Sequence, residues 1–347
     1  MGGRHILHSP VSGTILTTDD LGLAILSDPT RPAADLPRGV VDEILGTWRD
    51  AGLFDAMPPP FPDPVADDGR AAPHRRVHTG AWGAISVETD DPVLARQLDD
   101  ILGGLAASQT PAAPAVRLRC VTCAGGELGL FRDGRALWGR ASRDVARYMI
   151  LREAAEALCG TQRVGAILHG AAVGAGGRAL LILGGSGQGK STLAQGLVDA
   201  GCGFLADDHL PLATDGRHLL AFPTGSAVKQ GARDLDEVRR LVARHGGPHG
   251  SRDGIRYLRL DPGAVLGSAL PLAAVVFPDH APGAATRITR MGGESAFIAA
   301  IASGSRPSRH LARIAPLARL FAAVPAYALR YGTSDQSVPA CLDLLAA

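Results

Sequence analysis

Residues Gly184–Thr192 read GGSGQGKST, and Gly184, Gly189, Lys190 and Ser191 satisfy the spacing G-x-x-x-x-G-K-[ST]. Glycines at Gly184, Gly185, Gly187 and Gly189 let backbone N–H groups turn inward around phosphate oxygens, and Ser186, Gln188 and Thr192 complete the segment expected to bind ATP. An apolar strand, Ala179–Leu183, precedes the loop, and a helix follows from Lys190 to about Ala200, ending at Gly201. That helix aims its positive end at the phosphates. Lys190 is then expected to reach the β and γ phosphates and Ser191 to ligate Mg²⁺. The bland alternative, a glycine-rich turn that binds no nucleotide, does not account for the full motif standing between a strand and a helix.

Seventeen positions beyond Lys190, the strand begun by Phe204, Leu205 and Ala206 ends in Asp207 and Asp208. The short spacing is expected to bring that strand back beside the loop. One acid can hold Mg²⁺, and the other can orient and deprotonate a substrate hydroxyl. A plain turn after a strand also favours aspartate, so the glycine loop carries the functional reading. His169, in AILHGAAV, comes one strand earlier. It reads equally as a core histidine and as a site residue, the latter if a hairpin over Val173–Arg178 pairs Ile167–Val173 with Leu180–Leu183.

Taken as a set, LHG, the glycine loop and the strand end LADD, over roughly Val164 to Pro211, resemble the HPr kinase/phosphorylase group and its shorter kinase-only relatives. AFPTGSAVKQG, Ala221–Gly231, is similar to the proline-then-lysine stretch of the kinase-only relatives. The resemblance implies an α/β P-loop kinase core using ATP and Mg²⁺. In it Asp207 is the catalytic base, Asp208 supports Mg²⁺ or His169, and His169 contacts the acid pair or the transferring phosphate. Nothing after the acid pair matches the ELRGxG signature of bacterial HPr kinases, so neither reversal nor HPr itself as substrate is implied. The expected reaction is transfer of the γ-phosphoryl group to a serine or threonine hydroxyl of a peptide or small protein, ribosomal peptide precursors among them. The alternatives are a small-molecule hydroxyl kinase and a regulatory protein that binds nucleotide without transfer.

The elements that must position these groups divide the chain into three stretches. Residues 1–56 hold a short strand, Thr14–Thr17, a helix capped by Asp19 or Asp20, and a second helix striped by Val40, Val41, Ile44, Leu45 and Trp48 that ends at Gly52. This small strand-plus-helices unit resembles the PqqD-type peptide-binding unit. A proline-rich linker is expected over 57–76. The remainder, 77–347, opens with strands at Trp82–Val87, Val116–Cys123 and Leu128–Phe131, and Arg132-Asp133-Gly134-Arg135 turns the last into Ala136–Trp138. A helix spans Asp144–Cys159, another strand Leu272–Phe277, and a further helix Pro307–Ala323.

At 46% hydrophobic and 20% charged residues the chain has the balance of a globular protein. Thirty-five basic against 34 acidic residues leave +1, so no global field recruits nucleic acid or an anionic membrane. No apolar run has the length of a membrane span and no signal-peptide pattern opens the sequence, so a cytoplasmic location is expected. Five cysteines do not make a secreted disulfide framework, and the Cys120–Cys123 pair lies in a strand pattern that cannot complete a four-ligand metal site. Homo-oligomerisation stays open. Arg252, Arg256 and Arg259 read as a solvated basic face or as phosphate contacts.

Overall fold

The computed structural model describes residues 4–9, 12–27, 38–55, 67, 69, 72–105, 116–247, 249–252 and 255–347. The chain divides into Met1–Phe61 with Ala312–Ile314, and Pro62–Leu311 with Ala315–Ala347. In the first unit β1 (Arg4–His8) pairs antiparallel with β2 (Ile15–Asp19), followed by α1 (Asp20–Ser27) and α2 (Arg38–Asp50). Of the two candidate caps Asp19 does the work, its carboxylate accepting from Gly22 N–H at 3.0 Å. Leu7, Ile25, Val41 and Trp48 form the small core. β1 has no counterpart in the sequence expectation.

The second unit is mixed α/β. Its first layer holds β3 (His74–Gly80), β4 (Gly83–Thr89), α3 (Pro92–Leu102), β5 (Val116–Thr122), β6 (Leu128–Arg132) and β7 (Arg135–Ala141), with the five strands paired in that order. Most of the expected linker lies outside the described residues, but His74–Arg76 belong to β3, so its expected end is too late. The strand reading of Cys120 agrees with its place in β5, where burial raises its thiol pKa.

α4 (Arg143–Cys159), capped by Ser142, crosses from this sheet to the next, packing on β4 and β6 and on strands of the larger sheet. That sheet continues with β8 (Val164–Leu168), β9 (Gly170–Ala175), β10 (Arg178–Leu183), α5 (Lys190–Asp199), β11 (Gly203–Asp207), β12 (Leu210–Ala213) and β13 (His218–Leu220). β14 (Ser226–Val228), α6 (Asp236–His245), β15 (His249–Arg252) and β16 (Ile255–Leu258) follow, the strands forming a separate three-stranded sheet. The chain closes with β17 (Ala269–His280), β18 (Arg287–Met291), α7 (Gly293–Ala302), β19 (Arg306–Pro307), α8 (Ala315–Ala323), β20 (Ala326–Tyr331) and α9 (Ser334–Ala346).

The helix expected over Pro307–Ala323 is therefore shorter at its start. Pro307 sits in β19, the Ser308 hydroxyl donates to Glu156 at 2.7 Å, and Ala312 has a left-handed φ of 48°, so no helix runs through these residues and α8 begins at Ala315.

β10 is central: it pairs parallel with β17 and antiparallel with β9, and every residue from Ala179 to Leu183 is buried, which suits its unbroken apolar sequence. β9 also pairs antiparallel with β11. Consequently β10 and β11 run the same way with β9 between them, and their ends, Leu183 and Asp207, fall opposite Gly170 and Ala171. The expected hairpin is present over β9 and β10, with Ile167 and Leu168 pairing with β12 instead, and the acid strand, one strand away from β10, brings its end beside the loop, where Ser191 Oγ donates to Asp207 Oδ1 at 3.0 Å. Val173, Leu180, Leu193, Leu197, Phe204 and Val276 pack the core beneath the loop.

Gly170 is fixed by close approach. A Cβ there would stand 2.3 Å from the Ile182 carbonyl oxygen, and the Gly170 carbonyl accepts from Asp208 N–H at 2.7 Å. Gly170→Ala is expected to lose about 1–3 kcal/mol of stability, the scale of overpacking, measured by urea unfolding; a loss of only a few tenths would mean that β9 yields to the methyl group.

Candidate active site

The loop from Gly184 to Gly189 joins β10 to α5, with positive φ at Gly184 (147°), Gly187 (85°) and Gly189 (86°). These conformations favour glycine. At Gly189 space also decides, because a Cβ would lie 2.6 Å from the Tyr331 hydroxyl. Gln188 Oε1 accepts from Gly185 N–H at 2.6 Å, and Lys190 Nζ donates to the Gly185 carbonyl at 2.8 Å. Lys190 is buried and its pKa is lowered, first by burial; Asp208 and Asp207 oppose the shift.

Asp207 ends β11 with both carboxylate oxygens engaged. Oδ1 accepts from Ser191 Oγ at 3.0 Å and from Asp208 N–H at 3.1 Å; Oδ2 accepts from Ser226 Oγ at 3.1 Å and Ala227 N–H at 3.0 Å. The last two donors arrive because Phe222 N–H bonds to Leu205 O at 2.9 Å, carrying the segment before β14 along the free edge of β11. Burial and then the Asp208 charge push the Asp207 carboxyl above the ordinary range, opposed by hydrogen bonds from Ala227, Ser191 and Ser226.

Two strand crossings break at the same level here. β8 pairs with β12 through Leu168 and Leu210, while β9 pairs with β11 through Ala171 and Asp207. His169 occupies one break, Asp208 and His209 the other. Asp208 has a left-handed φ of 63°, so the simple alternation of strand faces has already ended at this residue. Burial followed by the Lys190 charge lowers the His169 pKa, and the Asp208 charge opposes the shift. His209 is buried against Tyr148, ring centroids 5.0 Å apart; its Nε2 has no hydrogen-bond partner, and burial pushes its pKa down to about 4, which keeps the ring neutral at pH 7.

Two cavities meet at these breaks. One, of about 240 Å³, lies against the loop and is lined by Ser186, Gly187, Gly189, Lys190, Ser191 and Thr192 together with Lys229. The other, of about 170 Å³, is lined by Ile101, Tyr148, Leu151, Asp207, His209 and Thr224 among others. Arg147, His169, Asp208 and Tyr257 line both. The structure thus gathers every expected site residue around one end of the sheet. It adds Arg147, Thr224, Lys229 and Tyr257, of which Thr224 and Lys229 lay in a segment singled out by sequence, Ala221–Gly231. Arg256 and Arg259 line neither cavity; Arg259 donates to the Asp99 carbonyl at 3.2 Å.

The donor set suits Mg²⁺ bound with a phosphate. Ser191 Oγ and Asp207 Oδ1 are hard oxygen ligands already 3.0 Å apart, and Mg²⁺ takes one or two protein oxygens plus phosphate and water. Among the described residues no group of three or more His, Cys, Asp or Glu side chains forms a site by itself. Among them, too, no helix is long and apolar enough to cross a membrane. No protein-family model matches the chain, and no curated protein matches it.

Proposed function

We propose that the chain is an ATP-dependent phosphotransferase with an HPr-kinase-like core, moving the γ-phosphoryl group of ATP to a serine or threonine hydroxyl of a peptide or small protein. One observation carries the reading: a cavity against the glycine loop and a second cavity beyond it share Asp208 and His169 at their junction. The loop N–H groups and Lys190 hold the phosphates; Ser191 and Asp207 are the residues that would hold Mg²⁺, which would supply neutralisation of the phosphate charge. Asp208 accepts the proton of the acceptor hydroxyl as its oxygen attacks the γ-phosphorus in line and the bond to the ADP oxygen breaks. His169 orients Asp208.

This assignment exchanges the roles that the family resemblance gives to the two aspartates. A general base needs a lone pair directed at the acceptor. Asp207 meets four donors and is buried, whereas Asp208 is partly exposed and lines both cavities. The acceptor cavity, about 170 Å³, is below the roughly 300 Å³ at which pockets begin to enclose a drug-sized molecule, and suits one side chain presented on a longer partner.

Incubation of the protein with Mg-ATP and candidate peptides, followed by mass spectrometry, tests the reading. Acceptor-dependent ADP formation with a phosphorylated serine or threonine supports it; phosphate release unaffected by every acceptor points to an ATPase. Removal of residues 1–60 is expected to weaken peptide binding at least about tenfold, about 1.4 kcal/mol, while leaving Mg-ATP affinity within about twofold. Titrating both ligands against the truncated and full chains checks this, and equal loss of both would make the first unit part of the catalytic core.

A further inference from the structure

Arg147 stands on the first turns of α4 and belongs to no motif in the chain. Its side chain is 16% exposed, and its buried Nη1 has no hydrogen-bond partner. The nearest carboxylate oxygen, Asp144 Oδ1, is 3.6 Å away on a side chain that is 53% exposed, beyond hydrogen-bonding distance. A desolvated guanidinium nitrogen without an acceptor is costly, and a guanidinium cannot shed its proton to reduce that cost. The same side chain lines both the cavity at the glycine loop and the cavity beyond it. On the loop side the other cations are Lys190, which donates to Gly185 O, and Lys229. Arg147 alone among them also reaches the acceptor cavity.

We propose that Arg147 is a catalytic residue that grips the γ-phosphoryl group from the acceptor side, its guanidinium donating to a non-bridging phosphoryl oxygen at the junction of the two cavities. The inference rests on the phosphotransferase reading above and adds a contact specific to the third phosphate. A planar fork of donors matches phosphoryl oxygens, and an arginine in this position stabilises the charge spread over them as the group transfers. The guanidinium stays protonated throughout; the covalent changes are the phosphorus–oxygen bond formed to the acceptor, the one broken to ADP, and the passage of the acceptor's hydroxyl proton to Asp208.

The contact exists only where a γ-phosphoryl group exists, so comparison of ATP with ADP isolates it without any knowledge of the acceptor. Affinities of the full chain for Mg-ATP and Mg-ADP are measured by calorimetry for wild type, Arg147→Ala, Arg147→Lys and Asp144→Ala. Arg147→Ala is expected to weaken Mg-ATP about tenfold or more and to leave Mg-ADP within about twofold, with Arg147→Lys between it and wild type and Asp144→Ala like wild type, a span set by charge-assisted hydrogen bonds. Equal weakening of both nucleotides, or of neither, overturns the proposal, as does an Asp144→Ala variant that reproduces the loss. Should Arg147→Ala melt below the assay temperature, Arg147→Lys decides by the same ATP-to-ADP comparison. A wild-type chain that binds neither nucleotide overturns the phosphotransferase reading itself, whereas one that binds both while Arg147 substitutions change nothing overturns only the role of Arg147.

Discussion

Lys190→Ala is expected to reduce ATP-dependent phosphoryl transfer by about 10³-fold or more while leaving the protein folded. The catalytic loss follows from taking the cation away from charge that develops on the transferring group in a water-poor site. Stability behaves differently because Lys190 is not the exposed loop lysine that the motif suggests: it is 7% exposed, with its ammonium turned onto the Gly185 carbonyl. Its pKa is lowered by burial, so the unfolded chain holds the proton more readily than the folded one. The charged lysine therefore opposes folding at neutral pH, and that cost falls only as pH rises through the folded and then the unfolded pKa. Replacement by alanine removes the cost along with one hydrogen bond. Thermal melting without nucleotide is expected to be unchanged or slightly higher, whereas the rise that Mg-ATP produces in the wild-type chain is expected to vanish. Transfer within tenfold of wild type would reject the loop as the phosphate site.

The glycine loop was legible because each of its requirements is local. Positive φ at Gly184, Gly187 and Gly189, a buried strand before and a helix after all leave a mark within a dozen residues. The hairpin of β9 and β10 was legible for the same reason. α3 was missed although its signals stand in the sequence: Asp91 caps it, accepting from Val93 and Leu94 N–H groups, Pro92 opens it, and Leu94, Leu98, Ile101 and Leu102 line its buried face. The residues between Arg233 and Arg259 hold α6, β15 and β16, none of which the sequence reading placed; the apolar stripe of α6, Val238, Leu241 and Val242, stands among charged residues.

Other features had no local mark at all. Arg147 and Tyr257 reach the cavities from α4 and from β16, and only the tertiary fold brings those elements to one end of the sheet. The acid pair lies between these extremes. Its types and position were readable, but the division of labour depends on four donors to Asp207 and on a left-handed residue at Asp208.

That division is open to direct measurement. Asp208→Asn is expected to keep Mg-ATP affinity within a few-fold and to lower the single-turnover transfer rate by about 10²-fold or more, the usual scale for loss of a general base. Its backbone N–H still bonds to Gly170 O, so the local fold has no reason to change. Asp207→Asn is expected to act on the metal. An amide presents one acceptor oxygen where the carboxylate presents two, so the pair of donors facing its nitrogen, either Ser191 Oγ with Asp208 N–H or Ser226 Oγ with Ala227 N–H, loses its acceptor, and Mg²⁺ loses an anionic ligand. The Mg²⁺ concentration for half-maximal activity is expected to rise about tenfold or more, with transfer partly restored at saturating metal, a recovery that Asp208→Asn does not share. Titrating Mg²⁺ against single-turnover rate for both variants separates the cases. Exchanged phenotypes would return the base to Asp207, as the family resemblance has it, and make Asp208 the metal-side acid. Two variants close to wild type would take the acid pair out of the chemistry and leave a chain that binds nucleotide without transferring phosphate.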